Sequence, residues 1–139
     1  MRYLGMDLGT KTLGLATSDK LGIIASPYKL IRYSDINKLL DEVIEIITKE
    51  KIEGLILGLP KNMNNTLGPA AERSLEFKKL LEERCNIEVV LVDERLSTVE
   101  AENMLIQADL SRKKRKNIID EVSASIILDT YLRRVEKNG

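Results

Sequence analysis

Three acidic residues that lie far apart in the chain each stand beside a recognisable backbone feature. Asp7 and Glu94 each end an apolar run that is typical of a buried strand, and Asp120 opens a helix just after a run of basic residues. Carboxylates that converge at strand ends beside positive charge are suited to hold a divalent metal that acts on a phosphate backbone. The sequence therefore predicts an oxygen-liganded metal site that is built from these three acids.

Each of the first two acids also has a simpler interpretation. Asp7 precedes Gly9 in a turn-like segment, so it could merely cap a hairpin turn. Asp93 and Glu94 are adjacent, and strand alternation places them on opposite faces, so only one of them can join Asp7. We favour Glu94 as that ligand, while an ion pair of an acid with Arg95 is the alternative.

Asp120 is the third candidate, and its helix pattern supports it. Ser123, Ala124 and Ile127 follow it at helical spacing, and the small residues would let the helix approach a sheet closely. The alternative is an acid that is favoured in the first helical turn by the helix dipole.

Composition narrows the chemistry further. The 139 residues indicate one domain, 1–139, and contain no histidine, which excludes histidine triads, bases and metal ligands. The single cysteine, Cys85, excludes an internal disulfide and a cysteine zinc cluster, and we expect it to be a buried or half-buried residue at a helix end. Because 22 basic residues balance 22 acidic ones, nucleic acid can be attracted only by local patches.

The apolar pattern predicts a soluble cytoplasmic protein that does not cross a membrane. No apolar run approaches the roughly 20 residues of a membrane helix, and the first residues lack the apolar stretch of a signal peptide.

Periodicity predicts three strands, followed by alternating helices and strands. This order favours an α/β fold with a mixed five-stranded sheet and helices on both faces, in which Pro27 confines its strand to an edge or a bulge. The strands are predicted at 3–8, 13–16, 23–31, 54–58 and 87–92, the helices at 36–47, 70–84, 98–108 and 118–134, and a charged loop at 109–116.

Basic and amide side chains near the acids are candidates for holding phosphates. An ordinary solvated loop is the alternative for the run of five basic residues and for the loop after the strand at 54–58. The candidate substrate-binding residues are Lys11, Lys61, Asn62, Arg95, Arg112, Lys113, Lys114, Arg115 and Lys116.

Four motifs, taken in order, resemble the YqgF (RuvX) family over essentially the whole chain. Members of this family are described as Holliday-junction resolvases and as nucleases that process the 5′ end of pre-16S rRNA. The motifs are Asp7-x-Gly9 with Gly14-x-Ala16, Gly58-x-Pro60-x-Asn62-Met63, Asp93-Glu94-Arg95-Leu96-Ser97-Thr98, and Asp120-x-x-Ser123-Ala124.

The resemblance implies an RNase H-like fold with metal-binding acids at Asp7, Glu94 and Asp120. The chain departs from the family pattern at Thr12 and at Asn64-Asn65, which bears on loop contacts rather than on the acids. The glycine turn also resembles the phosphate-binding hairpin of sugar kinases, Hsp70 and actin. Those proteins clamp a nucleotide between two such domains, and this chain has room for one, which argues against an ATPase.

We therefore expect a two-metal nuclease that uses Mg²⁺ or Mn²⁺ and acts on precursor 16S rRNA, with the ribosomal small subunit as a further partner. A Holliday junction resolvase is the first alternative, and it would form a stable two-fold dimer. A non-catalytic nucleic-acid-binding factor of ribosome assembly is the second. For the nuclease we expect a monomer or a weak homodimer.

Overall fold

The protein was analysed as a computed structural model, which describes residues 1–60, 68–93 and 112–138, with side chains in the last range described from 122 to 135. In chain order the elements are β1 (Tyr3–Leu8), β2 (Thr12–Ser18), β3 (Ala25–Arg32), α1 (Ile36–Lys49), β4 (Gly54–Leu59), α2 (Pro69–Cys85), β5 (Val89–Asp93) and α3 (Arg112–Asn138).

The strands form one mixed sheet with the order β3-β2-β1-β4-β5. The first three strands make an antiparallel meander, and β4 and β5 add to β1 in parallel through helical crossovers. The predicted five-stranded mixed sheet is therefore confirmed. Because β1, β4 and β5 are parallel, their carboxyl ends lie at the same edge of the sheet.

Alternate residues of each strand serve two separate cores. Leu4 and Met6 of β1 pack with α1 and α2 on one face, in a cluster that includes Phe77 and Leu81. On the other face Ile56 and Val92 pack against the buried side of α3, which consists of Ala124, Ile127, Leu128 and Leu132. The prediction of helices on both faces is thus confirmed, with α3 alone on its face in the described part of the chain.

Local chemistry explains several element boundaries. The Asp35 carboxylate accepts the Asn37 N–H at 2.9 Å and caps α1, whose first residue is the predicted Ile36. The β3 strand lies at the sheet edge, and its register with β2 shifts beside Pro27, as expected for a residue that has no N–H. Cys85 ends α2 and is half-buried, as predicted.

The prediction that 109–116 is a loop is wrong over its basic part, because α3 already begins at Arg112. Like charges in sequence suggested a solvated loop, but lysine and arginine are good helix formers and no glycine or proline separates them from the helix. The predicted helix at 98–108 lies outside the described residues.

Within the described part of the chain, no helix combines the length and the apolar character that a membrane crossing requires.

Candidate functional site

The shared carboxyl edge of β1, β4 and β5 carries the first candidate ligand. Asp7 is the penultimate residue of β1, is partly buried and pairs with Gly14 of β2. Strand alternation places it on the same face as Tyr3 and Gly5, which is the face that α3 covers. Asp7 therefore points to the side of the sheet on which the last helix lies.

Gly5 lets α3 approach β1 very closely. A methyl group at Gly5 would lie 2.7 Å from the Leu128 Cβ and 2.9 Å from the Ala124 carbonyl oxygen. Farther back on β1, the Tyr3 ring contacts the Tyr131 ring edge-on, with centroids 5.4 Å apart. The helix thus runs antiparallel to β1, and its earlier residues lie nearer to Asp7.

These two contacts fix the level at which α3 passes Asp7. The two strand residues from Gly5 to Asp7 span about 7 Å, which corresponds to roughly four or five helical residues. Counting back from the contact at Ala124–Leu128 gives the helical turn around position 120. The backbone of Asp120 therefore lies at about the level of Asp7, on the face of the sheet that Asp7 shares.

Gly58 forms the surface between β1 and β5 at this edge. It pairs with Val92, and its neighbour Leu57 pairs with Met6, so Gly58 lies beside Asp7. Alternation assigns it to the α3 face together with Ile56. Since glycine has no side chain, the sheet surface between the ends of β1 and β5 is backbone alone.

Asp93 does not share that face. It ends β5, and Val89 and Leu91 before it belong to the core under α1 and α2, so alternation directs Asp93 away from α3. Of the two adjacent acids, Asp93 is thus the one that strand geometry separates from Asp7.

The turn between β1 and β2 is held by Tyr33. The Tyr33 hydroxyl donates to the Gly9 carbonyl oxygen at 2.6 Å, and the Tyr33 N–H donates to the Lys11 carbonyl oxygen at 2.9 Å. The Gly9 N–H closes the turn on the Thr12 carbonyl oxygen at 2.8 Å. These bonds fix the exposed Lys11 close to the end of β1.

Burial raises the pKa of the Tyr33 hydroxyl above its usual value of 10.0, against the opposing charge of Arg73 on α2. The hydroxyl therefore stays protonated at neutral pH and remains a hydrogen-bond donor to Gly9.

Several predicted site residues lie outside the described part of the chain, namely Lys61, Asn62, Glu94 and Arg95. Asp120 and the five basic residues are described only through the backbone of α3. No group of three or more acidic or cysteine side chains that could hold a metal occurs among the described side chains, which include Asp7 but not its two predicted partners.

Two contributors to this edge were not predicted. Gly58 was noted only within a motif, because its position beside Asp7 depends on the strand order, which local periodicity does not encode. Tyr33 follows an edge strand and carried no motif, and only the antiparallel return of β3 brings it to the turn.

Sequence comparisons with a family model and with individual relatives agree on one family. A sequence model of RuvX, described as "Holliday junction resolvase", matches residues 1–134. A relative from Clostridium botulinum (strain Eklund 17B / Type B), named "Putative pre-16S rRNA nuclease", is 48% identical over 99% of this chain and 100% of its own length. A relative of the same name from Geobacillus sp. (strain WCH70) is 51% identical over 95% of this chain and 97% of its own length.

Solved structures give the same architecture. The chain resembles "T. thermophilus RuvC in complex with Holliday junction substrate" with a TM-score of 0.63 and 15% identity, covering 97% and 96% of the two chains. The structure "Crystal structure of Fowlpox virus resolvase and substrate Holliday junction DNA complex" matches with a TM-score of 0.57 and 14% sequence identity. The match covers 97% of this chain and 99% of that chain. These likenesses show the RNase H-like fold of RuvC-type resolvases. The chain therefore belongs to the RuvX family and is a nuclease, a hydrolase of phosphodiester bonds.

Proposed function

We propose that this chain is a metal-dependent nuclease that matures the 5′ end of precursor 16S rRNA in the cytoplasm, acting as a single domain. The names of its full-length relatives support the substrate. The observation that carries the chemistry is the position of Asp7. It lies at the carboxyl edge of the sheet, on the α3 face and at about the level of helix position 120.

The residues at this edge suit a hard divalent cation. Asp7, Glu94 and Asp120 would supply carboxylate oxygens, which Mg²⁺ and Mn²⁺ prefer, and Gly58 places no side chain between β1 and β5. When bound, the metal would lower the pKa of a water and offset charge that develops on the phosphate. Because the chain has no histidine, a carboxylate is the side chain suited to accept the proton of that water.

Positive charge at the same edge would hold the RNA backbone. From position 120 back to Arg112, α3 continues for about 12 Å, so its basic first turns extend past the level of Asp7. Cations are unfavourable at a helix amino terminus unless an anion is present, which supports a phosphate-binding role for this segment.

Single substitutions of the acids test the proposal. We expect Asp7→Asn, Glu94→Gln and Asp120→Asn each to lower cleavage of precursor 16S rRNA by at least 100-fold, because each removes an anionic ligand. The matched control is Asp93→Asn, which neutralises an acid on the opposite face and should retain activity. Cleavage is measured on labelled precursor with Mg²⁺, with Mn²⁺ and with EDTA, and circular dichroism verifies the fold of each variant.

A Holliday junction resolvase is the second candidate, because the family model carries that description. A labelled four-way DNA junction is therefore incubated in parallel. Metal-dependent cutting of the junction and not of the RNA would replace the proposed substrate. Cleavage that persists in Asp7→Asn would reject the predicted site, and tight binding of RNA without any cutting would favour a non-catalytic assembly factor.

A further inference from the structure

The edge strand β3 ends beside the β1–β2 turn and brings a cation to the face of Asp7. Asp7 pairs with Gly14 of β2. Two residues nearer to the turn, Thr12 of the same strand pairs with Arg32 of β3. Paired residues share a face of the sheet, and so do residues that are two apart in a strand. Arg32 therefore lies on the face that Asp7 and α3 share.

The burial of β3 agrees with this assignment. Ile31 and Tyr33, the two neighbours of Arg32, pack into the core under α1 and α2. Lys29 forms an ion pair with Glu42 of α1 at 3.0 Å, so it lies on that side as well. Because side chains alternate along a strand, Arg32 lies on the other side, and it is exposed there.

The pairing also gives the distance between Arg32 and Asp7. β2 separates β3 from β1, so the two residues are about 10 Å apart across the sheet, and Arg32 lies about 7 Å farther toward the turn. Their backbones are therefore about 12 Å apart, a distance that a few nucleotides of an RNA strand span. Arg32 is thus placed to hold a phosphate a few nucleotides away from the proposed metal site.

Tyr33 fixes the backbone that carries Arg32. The Tyr33 N–H donates to the Lys11 carbonyl oxygen at 2.9 Å, and the Tyr33 hydroxyl donates to the Gly9 carbonyl oxygen at 2.6 Å. The end of β3 is therefore tied to the turn at two points. A contact that is held in place before binding loses less conformational entropy when its ligand arrives.

No ion pair in the described part of the chain neutralises Arg32. The ion pairs found there also leave out Lys11, the exposed cation at the turn to which Tyr33 binds. Two neighbouring cations repel each other, and a bound phosphate would offset that repulsion. A charge on an edge strand also hinders pairing with other chains, and this second role would not depend on RNA.

We propose that Arg32 binds a phosphate of the RNA substrate, which makes the end of β3 a further contact for the strand that is cut at Asp7. This inference rests on the proposed nuclease function and extends its substrate path across the sheet, from β1 to the edge strand. The RNA passes over the β1–β2 turn, and Arg32 holds its backbone without reading the bases.

Filter binding of labelled precursor 16S rRNA in EDTA measures this contact without cleavage. We expect Arg32→Gln to weaken binding by about 5- to 10-fold, whereas Arg32→Lys keeps the charge and should stay within about 3-fold of the wild type. The matched control is Lys29→Gln, which removes the same charge from the opposite face of the same strand and should bind like the wild type. Urea denaturation verifies that each variant is folded.

Two results would overturn the proposal. In the first, Arg32→Gln binds RNA no more weakly than Lys29→Gln, which would leave protection of the sheet edge as the role of Arg32. In the second, Arg32→Lys loses as much affinity as Arg32→Gln, because positive charge would then not be the cause. Cleavage with Mn²⁺ is measured in parallel, and a wild type that binds through Arg32 without cutting would reject the nuclease while this contact stands.

Discussion

At the scale of single residues, Gly58 is as informative as the acids. It lies beside Asp7 on β4, on the face that α3 covers, between the ends of the two strands that lead to the predicted carboxylates. Any side chain here would project into the space in which those carboxylates are to meet. Gly58 is itself buried, and it contributes no side chain to that space.

We expect Gly58→Val to lower the kcat for RNA cleavage at least 100-fold, because the added side chain would occupy the space between the acids. Single-turnover cleavage at saturating Mn²⁺ measures the effect, with RNA affinity measured separately to show that binding is retained. Full activity in this variant would mean that the catalytic space does not lie over Gly58.

At the scale of elements, the sequence predicted the strands and most helices because each has a clear apolar period. The strand at 3–8 and the start of α1 at Ile36 agree with the structure to the residue. The order of the strands and the crossing of α3 at Gly5 could not be read from local pattern, since both depend on contacts between distant segments. The same holds for the candidate site. Asp7 was predicted from its motif, whereas its position relative to α3 and Gly58 follows only from packing between distant segments.

The crossing of α3 over β1 yields a prediction for Gly5. We expect Gly5→Ala to destabilise the fold by about 1–3 kcal/mol, because the new methyl group would press on the Ala124 carbonyl and the Leu128 Cβ. It should also reduce cleavage, since α3 carries Asp120 and must shift to relieve the contact.

Urea denaturation and RNA cleavage, measured on the same preparation, test the Gly5 prediction. The control Ser26→Ala, at an exposed position of β3, should change stability by less than about 0.5 kcal/mol. A Gly5→Ala protein as stable and as active as the wild type would contradict the close approach.

At the scale of the whole molecule, the two ends of the sheet differ in composition. Asp7 lies at one end, about 13 Å along β1 from Tyr3. The exposed apolar side chains of Leu21 and Ile23 lie beyond the other end.

The balanced charge of the molecule gives a prediction for salt. RNA affinity should fall with salt through the basic start of α3 and not through overall attraction. Arg112→Gln/Lys113→Gln/Lys114→Gln should therefore flatten the plot of log affinity against log salt by up to about 0.7 per lost phosphate contact.

Removing three exposed lysines elsewhere, Lys38→Gln/Lys49→Gln/Lys79→Gln, changes the net charge equally and is the matched control for the salt slope. We expect this control to keep the wild-type slope, which filter binding at several salt concentrations measures. If the salt slope became equally shallow in both variants, RNA would instead be attracted by the overall charge of the protein.

The late place of α3 in the chain also sets when the enzyme can become active. α3 cannot cover its side of the sheet until the roughly 45 residues after β5 have been made, which at about 5–20 residues per second takes about 2–9 s. During that interval Ile56, Val92 and the rest of that face are open to chaperones, and Asp7 has no helix beside it. We therefore expect a nascent chain to gain the proposed nuclease activity only after α3 has packed beside Asp7.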